Sequence, residues 1–191
     1  MSYLSKDLRR EEILQAAMRI ALNEGFNAMT VRHIAAEAGV ATGQVHHHFA
    51  SAGELKSLAF VRLIRDLLDA DLEAENAGWR QRLHSMLGSD SGTFEPYIRL
   101  WREAQILASR DPELKSAYVL TMEMWHQETV AIIRAGAAAN AFTLTDSAEN
   151  IAWRLIGLVC GLDGIYVLNM PEMDDAAFNN HLDKLITLEL F

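Results

Sequence analysis

Cysteine, proline, basic charge and long apolar runs are all scarce in this chain of 191 residues, and each scarcity removes a class of protein. The one cysteine, Cys160, can form neither an internal disulfide nor a cysteine-based zinc site, so a reducing cytoplasm is the expected setting. Prolines occur only at 96, 112 and 171, and nowhere do β-branched residues alternate with polar ones over a strand's length. The N-terminus reaches charge at Lys6 and Asp7, and the longest later apolar stretch, Leu155 to Val159, is far too short to span a bilayer. Neither a signal peptide nor a transmembrane helix is expected. Half of the residues are apolar, enough for one sizeable core or for a small module joined to a larger one, and too many for a disordered chain.

The formal net charge of −9 by itself argues against a nucleic-acid partner, because neutralising phosphates needs clustered Lys and Arg. Its distribution changes that reading. Up to Lys56 the six basic residues Lys6, Arg9, Arg10, Arg19, Arg32 and Lys56 balance six acidic ones, so the whole excess of −9 lies beyond. His33, His46, His47 and His48 also fall in this first part, where a phosphate field would favour their protonated forms.

Apolar positions recur at helical spacing throughout, and the chain reads as all-α with about nine helices. Ile13, Ala16, Ala17 and Ile20 mark a first helix over about 7–23, closed by Gly25. Thr30 is the expected N-cap of a short helix from Val31 to Ala38 that buries Val31, Ile34, Ala35 and Ala38 and stops at Gly39. Thr42 is the expected cap of a second short helix, Gly43 to His48. Two brief helices joined by Gly39, Val40 and Ala41 have the spacing of a helix-turn-helix. A long helix follows from Glu54 to about Glu75, then helices at about 79–88, 94–109, 112–138, 146–168 and 174–189. The breaks between them fall at Ser89 to Gly92, Arg110 to Pro112, Ala139–Asn140 and Asn169 to Pro171. The expected division is a helix-turn-helix module over 1–52 and a larger helical domain over 53–191.

The run Thr30-Val-Arg-His-Ile-Ala-Ala-Glu-Ala-Gly-Val-Ala-Thr-Gly-Gln-Val-His-His-His-Phe49 closely resembles the signature of the TetR family of transcriptional regulators, and the Glu24-Gly25-Phe26 turn fits it too. The resemblance implies a homodimer whose recognition helices enter major grooves of a pseudo-palindromic double-stranded DNA operator, and a larger helical domain that binds a small-molecule effector. It places Thr30, Arg32, Thr42, Gly43, Gln44, His46, His47 and His48 at or near DNA, with Thr42 and His48 on phosphate and Gln44 and His46 at base edges. Gln pairs bidentately with adenine, which makes Gln44 the leading candidate for sequence reading. Two residues depart from the family pattern: His46 stands where relatives have Tyr, and Ala52 where relatives have a phosphate-contacting Lys. The segments Leu162 to Val167 and Leu100 to Leu114 resemble, more loosely, the regulatory domain of betaine-regulator-type members.

Three consecutive imidazoles on a helix point about 100° apart, so His46, His47 and His48 cannot converge on one metal ion, and neither metal nor cofactor is expected. His33 faces away from the Ile34–Ala35 side, toward solvent or phosphate. Tyr97, Trp101, Met122, Trp125 and His126 are the candidate effector contacts, since rings can cage an organic cation and Met suits an adaptable pocket; the alternative is that they are packed core. Glu103 is a weaker polar candidate. Gly157, Gly161 and Gly164, with Leu182 and Leu185 on the last helix, are the expected dimer interface of four helices. Asp163 either packs there or faces a ligand cation, and Cys160 is expected to be a buried packing residue. No nucleophile with a positioned base and no spaced ligand set is present, so an enzyme is not expected. The function that follows is a DNA-binding regulator, a repressor released by its effector; the alternative is a protein-binding adaptor of the same fold with weak DNA binding.

Overall fold

Helix ends in this protein are set by residues that solve local hydrogen-bonding problems, and they fall close to where the pattern puts them. A computed structural model describes residues 6–71, 77–88 and 94–191. Among the described residues there are nine α-helices and no strand: α1 Lys6–Glu24, α2 Val31–Glu37, α3 Thr42–His48, α4 Ala52–Asp71, α5 Trp79–Leu87, α6 Glu95–Leu107, α7 Pro112–Ala138, α8 Ala148–Tyr166 and α9 Asp175–Leu190. The expected extension of the long helix to Glu75 and the expected break at Ser89 to Gly92 lie outside the described residues.

Thr30 caps α2, its side chain accepting from the His33 N–H. Gly39 ends that helix at φ 66, with its own N–H donating to Ala36 and the Val40 N–H to Ala35, a closing motif that needs a left-handed residue. Asn140, at φ 57, closes α7 by the same pair of bonds, onto Ala137 and Gly136. Thr42 is not a cap: it is the first helical residue of α3, and the extended N-cap position is taken by Ala41. The long helix starts at Ala52, two residues before the expected Glu54, because Ser51 and Glu54 form a capping pair. The Glu54 N–H donates to Ser51 Oγ (2.8 Å) and the Ala50 N–H to the Glu54 carboxylate (2.6 Å).

The chain divides into two compact units, each discontinuous in sequence: residues 1–67 with 94–122, and 68–93 with 123–191. In the first unit α1 packs on α2, α2 on α3, and α6 lies against α1 and the 3₁₀ turn Phe26–Ala28. Ile13, Ala16, Ala17 and Ile20 are buried as their spacing predicts, with Phe26, Met29, Leu55, Phe60 and Leu100 completing the core. Ile34 and Ala35 are buried, whereas Val31 and Ala38 are only half-buried. Aromatic rings link the helices edge to face: Phe26 to Phe60 (5.7 Å), Phe60 to Trp101 (6.1 Å) and Trp101 to Tyr118 (5.6 Å).

In the second unit α8, α9 and α5 pack together around Ile151, Leu155, Ile156, Phe178, Leu182 and Leu83. Arg154 ties α8 to α9 through a two-pronged bond to Glu189 (2.6 Å each) and also holds Asp146 (2.9 Å). Arg80 and His84 of α5 both bind Asp183 of α9. Among the described residues no helix is long and apolar enough to cross a membrane.

Candidate nucleic-acid interface and effector contacts

Only one residue in the middle of α3 is committed to the core. Val45 is buried and Phe49, just past the helix, is buried with it, which fixes the helix's rotation; Thr42, Gly43, Gln44, His46 and His47 are left exposed on the other side. Nothing lies within 4 Å of where a Gly43 side chain would be, so the start of α3 is open. Thr30 and Arg32, at the start of α2, are exposed as well. The His47 and His48 rings meet edge to face at 5.1 Å.

His48 differs from its neighbours. It is half-buried, and among the described residues its Nδ1 is a buried atom with no hydrogen-bond partner. Burial pushes its titration below the usual imidazole range, and the charges of His47, Lys6, Arg10 and Arg9 push it further down. The neutral form is therefore favoured in the protein free of DNA. The same relation reveals a feature that sequence reasoning missed: the positive charges of Lys6, Arg9 and Arg10 at the start of α1 act on His48 at the end of α3. Arg10 also stacks over the Phe49 ring at 4.7 Å. The basic triplet at 6, 9 and 10, on one helical face, was the available signal.

His33 is not a free surface residue. Its Nδ1–H donates to the Ala28 carbonyl (3.1 Å) and its Nε2 lies 3.5 Å from the Glu24 carboxylate, so it staples α2 to the end of α1. Glu103 likewise has a structural partner: its carboxylate accepts from the buried Phe26 N–H (2.9 Å). One turn earlier, Arg99 donates to the Leu22 carbonyl (2.5 Å). Together they finish the C-terminal end of α1, where Gly25 turns the chain at φ 83; a Cβ at Gly25 would sit 2.6 Å from the Glu103 carboxylate.

Tyr97, Trp101 and Met122 belong to the first unit, and Trp125 and His126 to the second. All five are half-buried. Trp101 donates to the Tyr118 hydroxyl (3.0 Å) and Trp125 to the Met86 carbonyl (3.1 Å). His126 donates from Nε2 to the Glu149 carbonyl (3.0 Å) and stacks on Trp153, with ring centres 4.1 Å apart. On α8 the residues Trp153, Gly157, Gly161 and Gly164 form an exposed stripe at helical spacing, with open space beside all three glycines, and the exposed Leu168 follows in the turn after the helix. Cys160 is exposed beside that stripe, not buried as expected. Leu182 is fully buried within its own protomer, so its surface is already used against α8 and its expected place at an interface does not stand; Leu185 remains half-exposed.

Comparison with known proteins agrees with this geometry. Residues 13–55 match the family described as bacterial regulatory proteins, tetR family. The HTH-type transcriptional regulator BetI of Agrobacterium fabrum is 28% identical over 166 residues, covering 84% of this chain and 76% of BetI. The HTH-type transcriptional repressor KstR2 of Mycolicibacterium smegmatis is 39% identical over 61 residues, 32% of this chain and 28% of KstR2. A putative transcriptional regulator from Saccharomonospora viridis, solved in complex with choline, shares the fold with a TM-score of 0.75 at 22% identity, over 96% of this chain and 98% of that one. Residues 13–55 thus match the DNA-binding part of the tetR family, and most of the chain is similar to HTH-type transcriptional regulators.

Proposed function

We propose that this regulator is a cytoplasmic homodimeric repressor that grips a pseudo-palindromic operator with α3 of each protomer and releases it when a small-molecule effector binds. The bared face of α3 carries the reading. An α-helix is about 10–12 Å across with its side chains and fits a major groove about 12 Å wide. Gln44 and His46 then meet base edges, while Thr42, Gly43 and His47 meet the flanking backbone. Thr30 and Arg32 on α2, with Lys6, Arg9, Arg10 and His48 at the far end of α3, take the remaining phosphates. This cluster concentrates positive charge at one place in a head whose net charge is zero, and stands in for the lysine replaced by Ala52.

The exposed stripe of α8, with Leu185 and the exposed Leu188 of α9, serves as the face for a second copy of the chain. Tyr97, Trp101, Met122, Trp125 and His126 supply the effector contacts. Their rings and thioether suit a small organic cation, and the S. viridis relative binds choline, so that class is the first to test. Effector and DNA affinities are reciprocally linked, so an effector that favours one arrangement of the protein weakens the other ligand by the same factor.

The test is a fluorescence-anisotropy titration of the protein on the DNA upstream of its own gene, over a range of salt concentrations. Specific binding that weakens steeply with salt supports the reading, and no specific complex at low salt would sink it. A melting-temperature screen with choline and other small cations identifies the effector through mass-action stabilisation, and a hit must also weaken the DNA complex.

A further inference from the structure

A carboxylate occupies the start of α4, the helix that follows α3 after three intervening residues. Glu113, in the first turn of α7, accepts a hydrogen bond from Ser51 Oγ at 3.1 Å to one oxygen and 3.4 Å to the other. It also lies directly over Gly53, where any Cβ would collide with its Oε2. Glu113 is not needed to cap its own helix, because the Asp111 carboxylate already accepts from the Leu114 N–H (3.1 Å). Ser51 and Glu54 satisfy the N–H groups of Glu54 and Ala50, which leaves those of Ala52 and Gly53 among the donors that no helix can satisfy internally. Donors and dipole at this end favour an anion.

In the DNA-binding reading above α3 lies in the groove, and the first turn of α4, three residues on, leads away from the base edges toward the sugar-phosphate backbone. We propose that the Glu113 carboxylate is an autoinhibitory stand-in for a DNA phosphate at the first turn of α4, which operator DNA must displace. Gly53 is what lets the carboxylate reach this place. Any rearrangement that draws the first turn of α7 away from Ser51 raises affinity for DNA, and any that holds it there lowers affinity. This rests on the DNA-binding reading above and adds to it a brake built from the chain's own charge.

Two variants test it by anisotropy on the upstream DNA, with thermal melts confirming that each folds. Glu113→Gln removes the charge, and Gly53→Ala expels the carboxylate while leaving the charge in the chain. Both are expected to bind DNA roughly two- to fivefold more tightly at low salt, as suits one exposed charge, with the gain fading as salt screens it. The double variant should bind no more tightly than either single one, because both remove the same contact. Unchanged or weaker binding by Glu113→Gln overturns the proposal, and so does a Gly53→Ala variant that fails to match it. If the parent protein binds no DNA at all, the underlying reading fails instead, and the two failures are distinct.

Discussion

Truncating Glu103 isolates the contact that joins α6 to the end of α1. The Phe26 side chain is completely buried, and its N–H donates to the Glu103 carboxylate at 2.9 Å. A hydrogen bond to a charged acceptor contributes about 1.5–3 kcal/mol, and a buried N–H left without a partner costs about 1–3 kcal/mol. Glu103→Ala should therefore lose about 2 kcal/mol. Glu103→Gln keeps an oxygen acceptor at the same reach and loses only the charge-assisted part, about 1 kcal/mol. For a chain of this length each kcal/mol moves the melting temperature by about 2–4 °C, so Ala should lower it by roughly 4–8 °C and Gln by about half as much. Urea unfolding followed by circular dichroism gives the free energies, with protein concentration held constant because dimerisation would otherwise shift the midpoint. Stability of the Ala variant within about 0.5 kcal/mol of the parent would refute the assignment, since that is the range of ordinary surface substitutions. Equal losses for Ala and Gln would show that the charge of the carboxylate carries the whole contact, since Gln keeps the side chain's volume and an oxygen acceptor.

Three other outcomes follow from the same structure. Gln44→Ala should relax preference at one base pair of each half-site by about 1–3 kcal/mol, read by competition among single-base variants of the bound DNA; unaltered preference removes Gln44 from base reading. His48 titrates below its ordinary value, so its neutral state contributes stability that is complete above about pH 6.5 and is lost as pH falls through the lowered value. Phosphate beside it favours the imidazolium, so DNA binding takes up a proton and tightens as pH falls from 8 to 6, by at most about tenfold per pH unit, and His48→Gln flattens that dependence. A pH profile identical in the variant would remove His48 from the interface. Gly161→Arg should fold normally, because open space surrounds the glycine, yet it should sediment as a monomer if the α8 stripe is the dimer face; a dimer that persists moves the interface elsewhere.

The helices and their ends were legible in the sequence because their causes are local. A threonine oxygen reaching an N–H three residues on, a glycine at positive φ and an apolar stripe at three-and-four spacing act within one or two turns. Which residues of α3 stand exposed is set just as locally, because Val45 and Phe49 are the ones committed to the core. What spacing could not reveal is which distant element answers each polar group. Glu103 was a candidate ligand contact until the fold set it 77 residues from its partner, at the end of α1. Glu113 drew no notice until α7 brought it to Ser51, 62 residues away. Leu182 and Leu185 share one apolar pattern, and only packing against α8 decided that the first is core. The opening scarcity of basic charge is resolved in the same way: the sequence by itself determined that the head is neutral overall, and the tertiary structure decided that the charges of Lys6, Arg9 and Arg10 act on His48. Charge is summed along a chain, but a potential depends on distance in space, and only the fold sets that distance.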